Sequence, residues 1–146
     1  MYAFTYLCIM DRIYDINQVG EIATDLVKQF GTKPVWAFFA PMGAGKTTLI
    51  AAIGKQMGIV DTISSPTFAL MNQYEANGKI VYHMDWYRLD NEKEAARAGM
   101  EAAFDEADFC FVEWPEKAMG LLPADTQYFE IEILDPEHRR IFIPSY

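Results

Sequence analysis

An apolar run, Val35-Trp36-Ala37-Phe38-Phe39, leads straight into Ala40-Pro41-Met42-Gly43-Ala44-Gly45-Lys46-Thr47, and this junction constrains the fold more than any other part of the chain. Apolar residues without alternation are expected of a strand covered on both faces. The stretch from about 46 to 57 then reads as a helix. Strand, tight turn and helix open a parallel α/β sheet. The eight turn residues fit the P-loop pattern, with Ala40 in place of the first glycine. Small residues let such a loop wrap closely, so that the main-chain amides of Gly43, Ala44, Gly45 and onward to Thr48 converge on an anion. The helix presents its positive N-terminal end to the same anion. Lys46 is expected to reach the β- and γ-phosphates, the Thr47 hydroxyl to bind Mg²⁺, and Thr48 to touch the α-phosphate.

Around this junction the other elements fall into an α/β order. Residues 4–14 favour an edge strand. Val19, Ile22, Ala23, Leu26, Val27 and Phe30 lie on one face of a helix, with Asn17 placed to cap it and Gly31 to end it. Two extended segments, 67–74 and 79–87, meet at Asn77-Gly78, a strong hairpin signal because both residues tolerate positive φ. That hairpin returns Asp85 towards Thr67. Asn91 with Glu94 reads as a capping pair for a helix over 92–103. A buried strand is expected over 107–113, and 126–134 with 139–143 suggest a closing hairpin around Asp135-Pro136. The expected fold is therefore α/β: a P-loop NTPase-like mixed β-sheet flanked by helices, with antiparallel hairpins. At 146 residues a single domain over 1–146 is expected, with 1–9 as a poorly ordered or edge-strand prefix.

Composition narrows the function. Half the residues are hydrophobic, enough to fill a core, and the net charge is −9. A chain this acidic is a poor candidate for gripping a nucleic-acid backbone by itself, because that binding rests on Lys and Arg displacing counterions. Cys8 and Cys110 form no CxxC pair and no Cys/His ligand set, which points to a reducing, cytoplasmic compartment. No run is long enough to span a membrane, so no membrane association is expected. The apolar start has no basic residue before Arg12 and no small-residue cleavage site, unlike a secretory signal, and Met10 is an alternative natural start.

A P-loop needs a carboxylate at the end of a neighbouring apolar strand to hold Mg²⁺ or its waters. Phe109-Cys110-Phe111-Val112-Glu113 and Ile80-Val81-Tyr82-His83-Met84-Asp85 each offer one, and the residues alone leave their roles open between metal and attacking water. His83 reads as a structural residue on a hairpin face, and Cys110 as a small core residue. Ser65-Pro66-Thr67-Phe68 is either a plain loop or a switch segment in which Thr67 bonds the γ-phosphate or a metal-bound water. Trp114 is either a core anchor or a cover for a nucleotide site. Arg139 and Arg140 either reach a nucleotide or partner, or sit on an exposed hairpin face.

Gly-Ala-Gly-Lys-Thr-Thr at 43–48, Ser-Pro-Thr-Phe at 65–68, His-Met-Asp-Trp-Tyr-Arg-Leu at 83–89 and Glu-Trp-Pro-Glu at 113–116 come in an order and spacing that resembles the bacterial TsaE (YjeE) P-loop ATPases. The resemblance implies an ATP- and Mg²⁺-dependent ATPase, slow alone, that acts with a TsaB–TsaD-type pair to make threonylcarbamoyladenosine beside the tRNA anticodon. It implies that the partners hold most of the tRNA. By motif it makes Lys46 and Thr47 the phosphate and magnesium residues, Glu113 the metal-associated carboxylate and Asp85 a residue of hydrolysis. Thr67 becomes part of the switch-like segment, and Trp114 the tryptophan beside the site.

A small-molecule kinase could use the same loop. Such enzymes need an acceptor pocket and an Arg-bearing lid, and five arginines with little room for an inserted lid count against it. A nucleotide-dependent switch overlaps with the ATPase reading, but its GTPase form is disfavoured because Asn91-Glu92-Lys93-Glu94 is not the Asn-Lys-x-Asp guanine reader.

Overall fold

Alternate residues of the central strands serve opposite faces of one sheet. The structure is a computed structural model that describes residues 10–66 and 69–145. Strands β1 (Asp11–Asp15), β2 (Val35–Phe39), β3 (Met71–Ala76), β4 (Lys79–Asp85), β5 (Phe109–Glu113), β6 (Gln127–Ile133) and β7 (His138–Phe142) form a sheet in the order β1-β7-β6-β2-β5-β4-β3. The inner four, β6, β2, β5 and β4, run parallel, and antiparallel pairs close both edges. This is the expected mixed sheet.

Helices α1 (Val19–Phe30) and α2 (Lys46–Met57) share a core with Trp36, Phe38, Phe111 and Phe129. Helices α3 (Glu92–Arg97) and α4 (Met100–Glu106) share the other with Val35, Ala37, Cys110 and Val112. The split follows the period of two along β2 and β5. Both strands are apolar throughout because both faces are covered. Trp36 is the hub of the first core, meeting Phe109, Phe111 and Phe129 edge-on with centroids 5.4–5.9 Å apart. Burial pushes the Cys110 thiol up, as befits an inert core residue.

Some local expectations are revised. Asn17 does not cap α1. Asp15 caps a 3-10 turn at Ile16–Gln18 that precedes the helix, accepting from the Asn17 amide, and its own amide donates to the Gln18 side-chain oxygen. The helix expected over 92–103 is two helices, because Gly99 sits at φ 82 and turns the chain between α3 and α4. Asn91 does cap α3, but Glu94 reaches back to the amide of Asp90, not to that of Asn91. Asn77 and Gly78, at φ 52 and 85, make the expected hairpin turn. The edge strand is described only as β1, and the part expected before residue 10 lies outside the described residues, as does Thr67. Among the described residues no helix is long and apolar enough to cross a membrane.

Candidate active site

The loop between β2 and α2 turns on Gly43 and Gly45, at φ 80 and 86. A Cβ at either would meet nothing within 4 Å, so the demand for glycine is conformational and not steric. Gly45 is the N-cap of α2, and the first helical bond runs from Leu49 N to the Gly45 carbonyl. The amides from Gly45 to Thr48 therefore have no acceptor within the helix, and this end of it is suited to an anion. The Ala44 amide instead donates to Pro41 O at 3.2 Å, and the Ala44 methyl is buried.

Lys46 is only 6% exposed. Its amino group donates to the carbonyls of Ala40 (2.9 Å) and Pro41 (3.3 Å), and lies 4.2 Å from the centroid of the Trp114 ring. Burial lowers its pKa, against the opposing pull of Glu113, Asp85 and Glu116. Trp114 covers this lysine because the chain turns sharply after β5, at φ 57.

Parallel register brings the two candidate carboxylates to one end of the sheet: Glu113 lies opposite Phe38 on one side and Asp85 on the other. The Thr47 hydroxyl donates to Glu113 Oε2 at 3.1 Å. Glu113 is buried, and its Oε2 also lies 2.5 Å from His83 Nε2. Asp85 is held at the mouth, where Oδ2 accepts from the Ser65 hydroxyl at 3.2 Å and Oδ1 from the Tyr87 amide at 3.0 Å. A cleft of about 360 Å³ joins the loop residues 42–48 to Ser65, Asp85, Tyr87, Arg88, Glu113 and Trp114. Gly43, Ala44, Gly45, Lys46, Thr47, Thr48, Asp85 and Glu113 are thus gathered in one place. Among the described residues no three His, Cys, Asp or Glu side chains could hold a metal by themselves. The hard oxygens of Thr47 and Glu113 suit Mg²⁺, which takes few protein ligands when phosphates supply the rest.

Two residues join the site that the sequence did not assign to it. His83 does sit on a face of the β3–β4 hairpin, but it is fully buried there and bonded to Glu113, which brings it into the site. The signal was available: His83 and Asp85 are two apart on a strand, so they share a face. Arg139 donates through Nε to the Ala44 carbonyl (3.2 Å) and through Nη2 to that of Gly43 (3.4 Å), clasping the loop from β7. No local pattern predicts that contact. Its neighbour Arg140 pairs with Asp11 and Glu132 at the sheet edge. Beside Arg139 a second cavity of about 550 Å³ borders the loop, lined among others by Tyr14, Ile16, Val19, Thr48 and Pro136. Burial pushes the Tyr14 hydroxyl up to about 12, although Arg139 pulls the other way.

A glycine-rich loop at the carboxyl ends of parallel strands, with a buried lysine and a strand-end glutamate on the helix threonine, defines a P-loop NTPase-like α/β protein. Comparison with known proteins narrows this. The sequence profile of the family described as "Threonylcarbamoyl adenosine biosynthesis protein TsaE" matches residues 13–141, and the chain belongs to that family. The tRNA threonylcarbamoyladenosine biosynthesis protein TsaE of Haemophilus influenzae is 33% identical over 116 residues, covering 79% of this chain and 73% of that one. The protein of the same name from Treponema pallidum is 31% identical over 93% of this chain and 98% of its own. The crystal structure of Bacillus subtilis YdiB shares the fold, with a TM-score of 0.67 at 24% identity over 92% of this chain and 85% of that one.

Proposed function

We propose that this chain is the ATP-binding and ATP-hydrolysing subunit for threonylcarbamoylation of the adenosine beside the tRNA anticodon, working in the cytoplasm as one ATPase domain with a TsaB–TsaD-type pair. The observation that carries the reading is the meeting of Lys46, Thr47 and Glu113 at the mouth of the loop. Family membership supplies the pathway, since the relatives are named for tRNA threonylcarbamoyladenosine biosynthesis.

When bound, ATP supplies an anhydride whose cleavage sustains the assembly, and Mg²⁺ neutralises phosphate charge. The protein's own part is positioning. Gly43, Ala44, Gly45 and Thr48 form the cradle, and Lys46 exchanges its loop carbonyls for phosphate oxygens. Thr47 and Glu113 would hold the metal. Asp85, fixed by Ser65 and the Tyr87 amide, orients the attacking water, and Thr67 senses the γ-phosphate from the adjoining segment. The cavity beside Arg139 would receive the adenine, between apolar walls and a planar cation. The net charge of −9 supports leaving the tRNA mainly to the partners.

Phosphate release should be measured on the chain alone and after adding a TsaB–TsaD pair, alongside calorimetry with Mg-ATP. Binding, slow hydrolysis and strong stimulation by the pair are expected. Absence of any binding by folded protein would overturn the reading. A phosphorylated small-molecule acceptor in place of free phosphate would replace it with a kinase.

A further inference from the structure

We propose that His83 is a positioning residue for the metal end of this site, acting through Glu113 on Thr47. The inference rests on the nucleotide reading above and deepens it. His83 lies in β4 opposite Phe111 of β5, fully buried, two residues before Asp85 and on the same face as Val81, which belongs to the core shared with α1 and α2. Its Nε2 is 2.5 Å from Glu113 Oε2, while Nδ1 is buried with no partner among the described residues. Asn72, its neighbour across β3, is turned instead to Ser64 O and the Tyr74 hydroxyl. Among the described residues the one polar contact of this ring is therefore the site's carboxylate.

That pattern assigns the tautomer. A buried N–H without an acceptor is costly, whereas a bare ring nitrogen strands only a lone pair. The ring therefore carries its proton on Nε2, donated to Glu113, and Nδ1 is unprotonated. Thr47 donates to the same oxygen, Oε2, at 3.1 Å. Two donors on one oxygen fix the carboxylate's rotation and leave Oε1 with no donor from either residue. The consequence lies at Thr47. A hydroxyl has one proton, and once that proton is given to Glu113, what remains for a cation is its lone pairs. His83 holds Glu113 where it takes that proton. This is the outer-shell logic by which a histidine or carboxylate behind a ligand tunes a metal site.

The test compares His83→Leu with His83→Gln, whose amide nitrogen can stand near the lost Nε2. Nucleotide binding is measured by calorimetry with ADP, in EDTA and across a Mg²⁺ titration, followed by the Mg²⁺ dependence of hydrolysis. For His83→Leu, ADP affinity in EDTA should match wild type, while the Mg²⁺ concentration for half-maximal effect rises about tenfold or more. His83→Gln should recover most of that shift. Nitrogen-15 spectra of the wild type without metal, with only two histidines in the chain, should show one ring protonated on Nε2 alone, its signal lost in the Gln variant. An unchanged Mg²⁺ requirement in folded His83→Leu, a Gln variant as impaired as the Leu variant, or an Nδ1–H tautomer would each overturn the proposal. If His83→Leu does not fold, the tautomer and the Gln variant still decide. Wild-type protein that binds ADP with no response to Mg²⁺ overturns this inference and the metal role of Thr47 and Glu113 but leaves nucleotide binding standing, whereas wild-type protein that binds no nucleotide overturns the whole reading beneath it.

Discussion

Replacing Glu113 with glutamine should separate the stability of the fold from the chemistry of the site. The carboxylate accepts from Thr47 Oγ1 at 3.1 Å and from His83 Nε2 at 2.5 Å, and the residue is 3% exposed. Hydrogen bonds to a charged group contribute about 1.5–3 kcal/mol, and neutral ones about 0.5–1.5. Changing both from charged to neutral therefore costs about 2–3 kcal/mol. Against this, a buried carboxylate carries a desolvation penalty of several kcal/mol, and the amide avoids most of it. The two effects nearly cancel, so Glu113→Gln should lie within about 2 kcal/mol of wild type, with either sign allowed. Glu113→Ala sheds the same desolvation penalty but makes neither hydrogen bond. It leaves the His83 N–H without an acceptor, at about 1–3 kcal/mol, and removes one buried methylene at about 0.8 kcal/mol, which places it about 3 kcal/mol below the glutamine variant. With a urea m-value of about 2 kcal/mol/M, the alanine variant should unfold about 1.5 M earlier than the glutamine one. Hydrolysis of Mg-ATP should fall about 100-fold in both, because neither offers a carboxylate to the metal. Equilibrium urea unfolding and phosphate release check the two halves. A glutamine variant less stable than the alanine one would refute the account of the buried cluster, and full hydrolysis by the glutamine variant would refute the metal role.

Lys46→Met should weaken ATP binding about 50-fold by calorimetry, since it removes a charge-assisted donor facing the phosphates. Asp85→Asn should bind Mg-ATP within about threefold of wild type yet lose at least about tenfold in phosphate release, because Asp85 is assigned to the water and not to the cradle. Arg139→Ala should raise the ADP dissociation constant about tenfold, through loss of its bonds to the Gly43 and Ala44 carbonyls. The turn at 135–138 should carry a pH signature. The hydrogen bond that His138 donates to Asp135 raises the His138 pKa above 6.5, and the same bond, with the one from the Glu137 amide, lowers that of Asp135 below 3.8. The raised His138 value stabilises the fold below pH 6.5, and this is lost as pH climbs through the folded value. The depressed Asp135 value stabilises it above pH 3.8, lost as pH drops through the folded value. Thermal melts of wild type and His138→Gln should therefore differ most between those limits and converge outside them.

Where structure is set by neighbours in sequence, the chain could be read directly. The apolar run of β2, the loop glycines at positive φ, the limits of α2 and the Asn77-Gly78 turn all depend on side-chain period and backbone sterics within a few residues. Local reading also has a blind side. Residues 92–106 keep helix-favouring composition across Gly99, but two short helices each bury a side against the sheet, and a left-handed glycine turns the chain between them. Asp15 displaced Asn17 as a cap for a similar reason, because a 3-10 turn moved the start of the helical stretch.

By itself, then, the sequence determined the loop, its helix and two strand-end carboxylates, since each is a short segment whose chemistry and conformation are local. Only the tertiary structure decided which groups touch. Glu113 meets His83 across 30 residues of chain and Thr47 across 66, and Arg139 reaches the loop from 95 residues away. Those contacts follow from strand order and parallel register, which arise from the packing of both sheet faces at once, and no short window of residues contains that information.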